Sequence, residues 1–353
     1  MRIANNPLLK QKIAELLEIN NININVADML NVAFSYTDII DQKALKESGL
    51  EEKEAIIDQL YDFYQLDKDN EDNQQIMDEF FLKRLKKLDP NDYLNNPYVK
   101  NIKEAGRYNK YALKMIDYAP YQLFPYDEIS VSDDYKEYSA IGYFDKPFSY
   151  LALTEGNNIW MSLNPNEIET MKPFINESRG HVLVLGLGLG YVPYMMSLKD
   201  DVKSITIIEK DPDIINLFNK MIFPYFKNQK KITIIKDDAI NYVKHNQKYD
   251  YIFADLWHSP EDGLDLFIKL KKINKSIDCW LETSLVALLR RCMLTLIEES
   301  LNGANDNDYK HYRNITDKVI NDYYFKTKNI QINDPDDLFS LLKGENLLDL
   351  IIK

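Results

Sequence analysis

The chain has 353 residues, 45% of them hydrophobic, which is enough for a substantial core and for two domains or one large domain with an appendage. Its net charge of -13 argues against nucleic-acid partners, because non-specific binding to DNA or RNA draws its energy from Lys and Arg neutralising phosphates. No apolar run is long enough to span a membrane, Met1-Arg-Ile-Ala-Asn-Asn-Pro7 lacks a signal-peptide core, and Cys279 and Cys292 have no metal-ligand spacing. A cytoplasmic protein is expected, without membrane contact, disulfide framework or metal.

The amino-terminal third reads as helical, and residues 1–135 are expected to form a helical domain. Leu8, Leu9, Ile13, Leu16 and Leu17 share one helical face, followed by Ile56, Ile57, Leu60, Phe63 and Tyr64, then Ile76, Phe80, Phe81 and Leu85. This helical pattern is read as far as about residue 118, with breaks at Asp89-Pro-Asn-Asp92 and Asn95-Asn-Pro97. A Tyr- and Pro-rich connector, Tyr118 to Tyr126, leads into a hairpin and linker element over 136–171. There Ile141-Gly-Tyr-Phe, Tyr150-Leu-Ala-Leu-Thr and Ile159-Trp-Met-Ser flank the turn signal Glu155-Gly-Asn-Asn158. Asn164 then caps a helix that has Pro165 at its first position and acids in its first turn.

Residues 172–303 alternate short apolar runs with helical patterns. Strands are predicted at 181–185, 204–208, 232–235, 249–254 and 277–282, with helices between them and a last helix over 284–300. That alternation predicts a doubly wound, Rossmann-like parallel sheet. The remaining 304–353 are expected to be a mostly helical extension with one possible strand at 329–332. Arg290 and Arg291 are expected to make surface salt bridges.

Chemistry concentrates at the predicted strand ends. The run His181-Val-Leu-Val-Leu-Gly-Leu-Gly-Leu-Gly190 ends a strand in three alternating glycines, which let the backbone turn sharply and approach a ligand. Tyr191 stands where a dinucleotide fingerprint needs its next glycine. Glu209 closes the next strand, where a carboxylate can accept both ribose hydroxyls, and Asp237-Asp238-Ala239 closes the third. Asp255 closes the fourth, placed to act as a base or to position a reacting group. His258 is a second candidate base or an exposed turn histidine, and Trp257 either stacks on a ligand or packs. Glu155, Trp160, Glu167 and Glu169 can face the crevice from the hairpin side, although a first-turn Glu167 also complements a helix dipole. Glu282, closing the fifth predicted strand, can line the substrate side.

These residues resemble the class I S-adenosylmethionine-dependent methyltransferases, over roughly residues 180–283. The resemblance implies a methyltransferase-type sheet. Gly186, Gly188 and Gly190 would lie under the methionine moiety, Glu209 at the ribose and Asp238 at the adenine amine. Lys210, Asp237, Ala239 and Asp255 would complete the cofactor site. A narrower resemblance is to the spermidine synthases, which also place a hairpin and a glutamate-bearing helix before this core, as in Thr154 to Glu167 here. In that family the first Asp of an Asp-Ser/Thr-Asp-Pro sequence deprotonates the amine nucleophile, and Asp255 matches it. Two departures stand out: Leu189 occupies the position of an acid that holds the aminopropyl amine, and Asp255-Leu-Trp-His-Ser-Pro260 lacks the second Asp.

The expectation is therefore an S-adenosylmethionine-dependent methyltransferase acting on a small molecule, with Asp255 and His258 catalytic and Trp160, Glu167, Trp257 and Glu282 toward the substrate. Two alternatives accompany it: an aminopropyltransferase using decarboxylated S-adenosylmethionine, and a non-catalytic nucleoside-binding module. Homo-oligomerisation is possible under either.

Overall fold

The computed structural model describes every residue except Glu104 and Gln247. The chain divides into two compact units, each discontinuous in sequence. One comprises residues 26–130 and 138–255, the other residues 1–25, 131–137 and 256–353. The boundaries thus differ from the consecutive segments expected from the sequence.

The larger unit carries the candidate site. Gly106–Tyr108 (β1), Tyr111–Tyr118 (β2), Phe148–Glu155 (β3) and Asn158–Ser162 (β4) form an antiparallel sheet in the order β4-β3-β2-β1. This corrects the helical reading of the region before residue 118, and the expected hairpin becomes the edge of a four-stranded sheet. Tyr111 and Leu113 are 1% exposed and Tyr118 8%, while Lys114 and Met115 are exposed, so β2 lacks the regular two-residue alternation that marks a strand in sequence. The pairing of β4 with β3 shifts register between Ile159 and Met161, a bulge that re-aims Trp160.

Gly180–Leu185 (β5), Val202–Glu209 (β6), Ile232–Lys236 (β7) and Tyr251–Ala254 (β8) form the parallel sheet, in the order β7-β6-β5-β8. Val182 pairs with both Ile205 and Tyr251. Val182 to Leu185 are at most 1% exposed, as expected of a parallel strand buried on both faces, which reads as an unbroken apolar run. Because the chain leaves β5 toward β6 on one side and returns to β8 on the other, the order reverses between β5 and β8. Ligands of such sheets bind outside the carboxyl ends at this switch point. The unit is mixed α/β around a parallel sheet, as the sequence pattern predicts.

Helices of this unit that bear on the site are Pro97–Asn101 (α1), Pro165–Glu177 (α2), Tyr191–Ser197 (α3), Pro212–Met221 (α4) and Ala239–His245 (α5). The cap expected at Asn164 is present, and three more helices start the same way. Asn96, Asn164, Asp211 and Asp238 each accept a backbone N–H of the following first turn, three of them just before a proline that needs no hydrogen-bond acceptor there.

The smaller unit is mostly helical. Arg2–Ile3 pairs in parallel with Gln331–Ile332, which realises the possible strand at 329–332. The strand expected over 277–282 is only Asp278–Cys279, since Leu281 takes a left-handed conformation (φ 55°) and Glu282 opens the helix Glu282–Leu301. The expectation of surface salt bridges is corrected for Arg290, which is buried, and met in part for Arg291, which is partly exposed and forms an ion pair. Arg290 is 8% exposed, donates to the Leu342 carbonyl at 3.2 Å and lies 4.2 Å from the Tyr135 ring centre. Arg291 pairs with the buried Glu137. Both arginines carry long apolar stems that pack, so the internal acid and carbonyl draw them in. Among the described residues no helix is long and apolar enough to cross a membrane.

Candidate functional site

The glycine loop between β5 and α3 is built on positive φ angles: 100° at Gly186, 54° at Gly188 and 72° at Gly190. A Cβ at Gly190 would lie 2.2 Å from Phe218 Cε2, so this glycine is required both by its φ and by the close approach of α4. At Gly188 the nearest atom to an added Cβ is Met161 Sδ at 3.5 Å. The edge strand β4 therefore reaches the glycine loop, and Trp160, one residue before, is half-buried beside it.

Glu209, at the end of β6, holds the loop from below. One carboxylate oxygen accepts the Leu187 N–H at 3.3 Å and the other accepts the Asp211 N–H at 2.8 Å. Asp211 caps α4 and accepts the Tyr111 hydroxyl at 2.8 Å. Burial, and then the bond to Asp211, push that hydroxyl up to about 12. Asn109, in the β1–β2 turn, donates to Asp213 at 2.9 Å. The antiparallel sheet is thus tied to the same turn that carries Glu209, and the Trp160 and Tyr111 ring centres lie 6.2 Å apart. Lys210 is exposed. Asp237 and Asp238 are exposed at the end of β7, Asp238 accepting the Asn241 N–H at 2.9 Å, while Ala239 is buried at the start of α5.

Across the switch point, the Asp255 N–H donates to the Leu185 carbonyl at 2.9 Å, which fixes Asp255 beside the start of the glycine loop. Glu167 belongs to the same neighbourhood. As a residue it is partly exposed, yet its carboxyl group is enclosed by protein, and burial followed by the Asp255 charge raises it well above the usual carboxylate range. Two carboxyl groups that feel each other's charge do not both ionise readily, so Glu167 gives up its proton less easily than an ordinary glutamate. Asn164 accepts the Glu167 N–H at 3.0 Å. The Tyr118 hydroxyl, raised first by burial, then by Tyr150 and by Glu167, feels the Glu167 charge, and its ring lies 4.8 Å from that of Tyr150. Glu169 points elsewhere: it pairs with Lys172 at 2.5 Å and acts on the Tyr93 hydroxyl. Glu155 pairs with Lys110 at 2.9 Å.

The structure therefore brings together the three glycines, Glu209, Asp238, Asp255, Trp160 and Glu167 in one unit. Trp257, His258 and Glu282 lie in the other. Trp257 is 5% exposed, donates to the Trp280 carbonyl at 3.2 Å, and packs where a Cβ on Gly263 would fall 2.5 Å from its ring. His258 is exposed and pairs with Asp262 at 3.3 Å. Glu282 pairs at 2.7 Å with Lys271, which is only 4% exposed. Sequence reasoning did not find Tyr98, Tyr111, Met161 or Asp211. Only Asp211 left a local signal, the Asp-Pro pair that begins a helix. Among the described residues no group of three or more His, Cys, Asp or Glu is placed to hold a metal.

Residues 167–299 match the spermine/spermidine synthase domain, from the Glu167 helix through the parallel sheet. No curated protein sequence matches the chain. Among solved structures, a spermidine synthase from Thermotoga maritima is 15% identical with a TM-score of 0.28, covering 37% of this chain. The alignment spans 46% of that chain, less than half its length. MnmC2 from Aquifex aeolicus is 16% identical with a TM-score of 0.26, covering 68% of this chain and 78% of its own.

Proposed function

We propose that this protein is a transferase that alkylates an amine from an adenosyl sulfonium cofactor. The observation that carries the reading is the Glu167–Asp255 pair beside the glycine loop. An enclosed acid next to a second carboxylate is costly to ionise unless a cation completes the site, and an ammonium does so. The match to the spermine/spermidine synthase domain begins at Glu167 and supports the same reading.

The residues fit an adenosyl sulfonium in two ways. Gly186 and Gly188, both partly exposed at positive φ, leave backbone open to a close ligand, and Glu209 at the end of β6 is the acid that would take the ribose hydroxyls. When bound, the cofactor supplies an electrophilic carbon on a positively charged sulfur. Asp255 accepts the proton of the incoming ammonium, which frees its lone pair. That pair would be free to attack the carbon the bound sulfonium presents, with the C–S electrons leaving on sulfur as a neutral thioether. Glu167 holds the amine's orientation and tempers the charge of Asp255.

Decarboxylated S-adenosylmethionine suits this crevice better than S-adenosylmethionine, because the methionine carboxylate would add a negative charge beside the acids Asp255 and Glu209 and make Glu167 harder still to ionise. Methyl transfer is the second reading, favoured by Leu189, which is 5% exposed and supplies no charge for an aminopropyl amine. With each cofactor offered alongside a panel of diamines and polyamines, the expected result is amine alkylation detected by mass spectrometry. Asp255→Asn is expected to lower kcat at least 100-fold, the usual scale of a lost general base. Unchanged turnover in Asp255→Asn would remove Asp255 from the mechanism.

A further inference from the structure

Three alternating positive-φ glycines have little conformational preference of their own, so something outside the loop must select its shape. Glu209 secures one end through the Leu187 N–H. The other end is secured from α1. The Tyr98 hydroxyl donates to the Leu189 carbonyl, and Tyr98 itself is 0% exposed. Its ring stands edge-on to Tyr191 at 5.6 Å and to Tyr194 at 5.3 Å, the residues that begin α3. Asn96 donates to the Tyr191 hydroxyl at 3.0 Å, and Asn101 donates to the Tyr194 hydroxyl at 2.6 Å. Five residues of helix thus grip the loop and the helix that follows it, and the only bond to the loop backbone itself among these is that of Tyr98.

We propose that Tyr98 is a positioning residue that sets the glycine loop in the conformation that receives the adenosyl group; this rests on the cofactor site proposed above. A buried carbonyl does not remain without a donor, so when the Tyr98 hydroxyl is removed the Leu189 peptide turns to find water or another partner. That rotation redistributes the neighbouring glycine torsions, where the ligand would lie. Leu189, which offers no charge to a substrate, acts in this account through its backbone.

The test uses the full chain and two hydroxyl deletions that keep their rings. Tyr98→Phe is expected to speed hydrogen exchange at the 187–191 amides at least tenfold in the ligand-free protein, and to weaken methylthioadenosine binding by about tenfold. Tyr194→Phe, which loses the Asn101 bond but leaves Leu189 held, is expected to lower the Tm with wild-type loop exchange and wild-type Kd. Unchanged exchange and Kd in Tyr98→Phe overturn the proposal, and so does an equal loss in both variants, which marks a general packing effect. Failure of the wild-type protein to bind methylthioadenosine overturns the cofactor reading instead, and the exchange measurement still decides whether Tyr98 sets the loop.

Discussion

Glu167 ties the site to pH. Burial, then the Asp255 charge, keep it protonated above the usual range, so between the ordinary glutamate value of about 4.3 and its raised value the folded state binds more protons than the unfolded chain. Stability from this group is complete below the ordinary value and is lost as pH rises toward the raised one. Glu167→Gln keeps the shape and removes the titration, so its stability should fall less than wild type between pH 5 and pH 8 in denaturant titrations. Identical pH slopes for the two proteins would show that Glu167 ionises normally. The residues whose chemistry is local were legible in sequence: the glycines, Glu209 and Asp255 each announce themselves at a strand end. Tyr98 and Tyr111 were not, because their partners lie 91 and 100 positions away and a tyrosine in an apolar stretch looks the same whether or not its hydroxyl is engaged.

The elements that sequence reveals best are those with punctuation. Asn164-Pro165 and Asp211-Pro212 fixed helix starts, and β5 stood out as an unbroken apolar run. β2 was missed because Tyr111 to Tyr118 buries its side chains without regular alternation. The predicted strand over 277–282 was overlong because the left-handed Leu281 leaves no sequence signal, and Glu282 consequently belongs to a helix start paired with Lys271. At the junction of β5 and α3, the glycines separate into two kinds. Gly190→Ala forces a left-handed Ala and places its Cβ only 2.2 Å from Phe218 Cε2, for an expected loss of roughly 2–4 kcal/mol. Gly188→Ala bears the φ penalty alone, about 1–2 kcal/mol. Thermal denaturation of both variants distinguishes them; equal losses would show that the Phe218 approach does not constrain the loop.

For the whole molecule, composition and alternation gave the parallel sheet and its switch point, whereas the division into two discontinuous units depends on long-range packing that no local pattern encodes. The same distinction governs the site. Strand-end acids were visible one by one, but the mutual influence of Glu167 and Asp255 emerges only when the Pro165–Glu177 helix brings Glu167 within reach of Asp255's charge. Leu189 looked decisive for the transferred group when read as a missing acid, and the folded chain adds Glu167 and Asp255 as the acids that are present. The central claim is an adenosyl sulfonium site with a carboxyl pair that favours a ligand without a carboxylate. Calorimetry of the wild-type protein with decarboxylated S-adenosylmethionine and with S-adenosylmethionine tests it most directly. The account predicts binding of both, with the decarboxylated compound at least tenfold tighter, a difference of about 1.4 kcal/mol. Binding of neither, or tighter binding of the carboxylated compound, would contradict it.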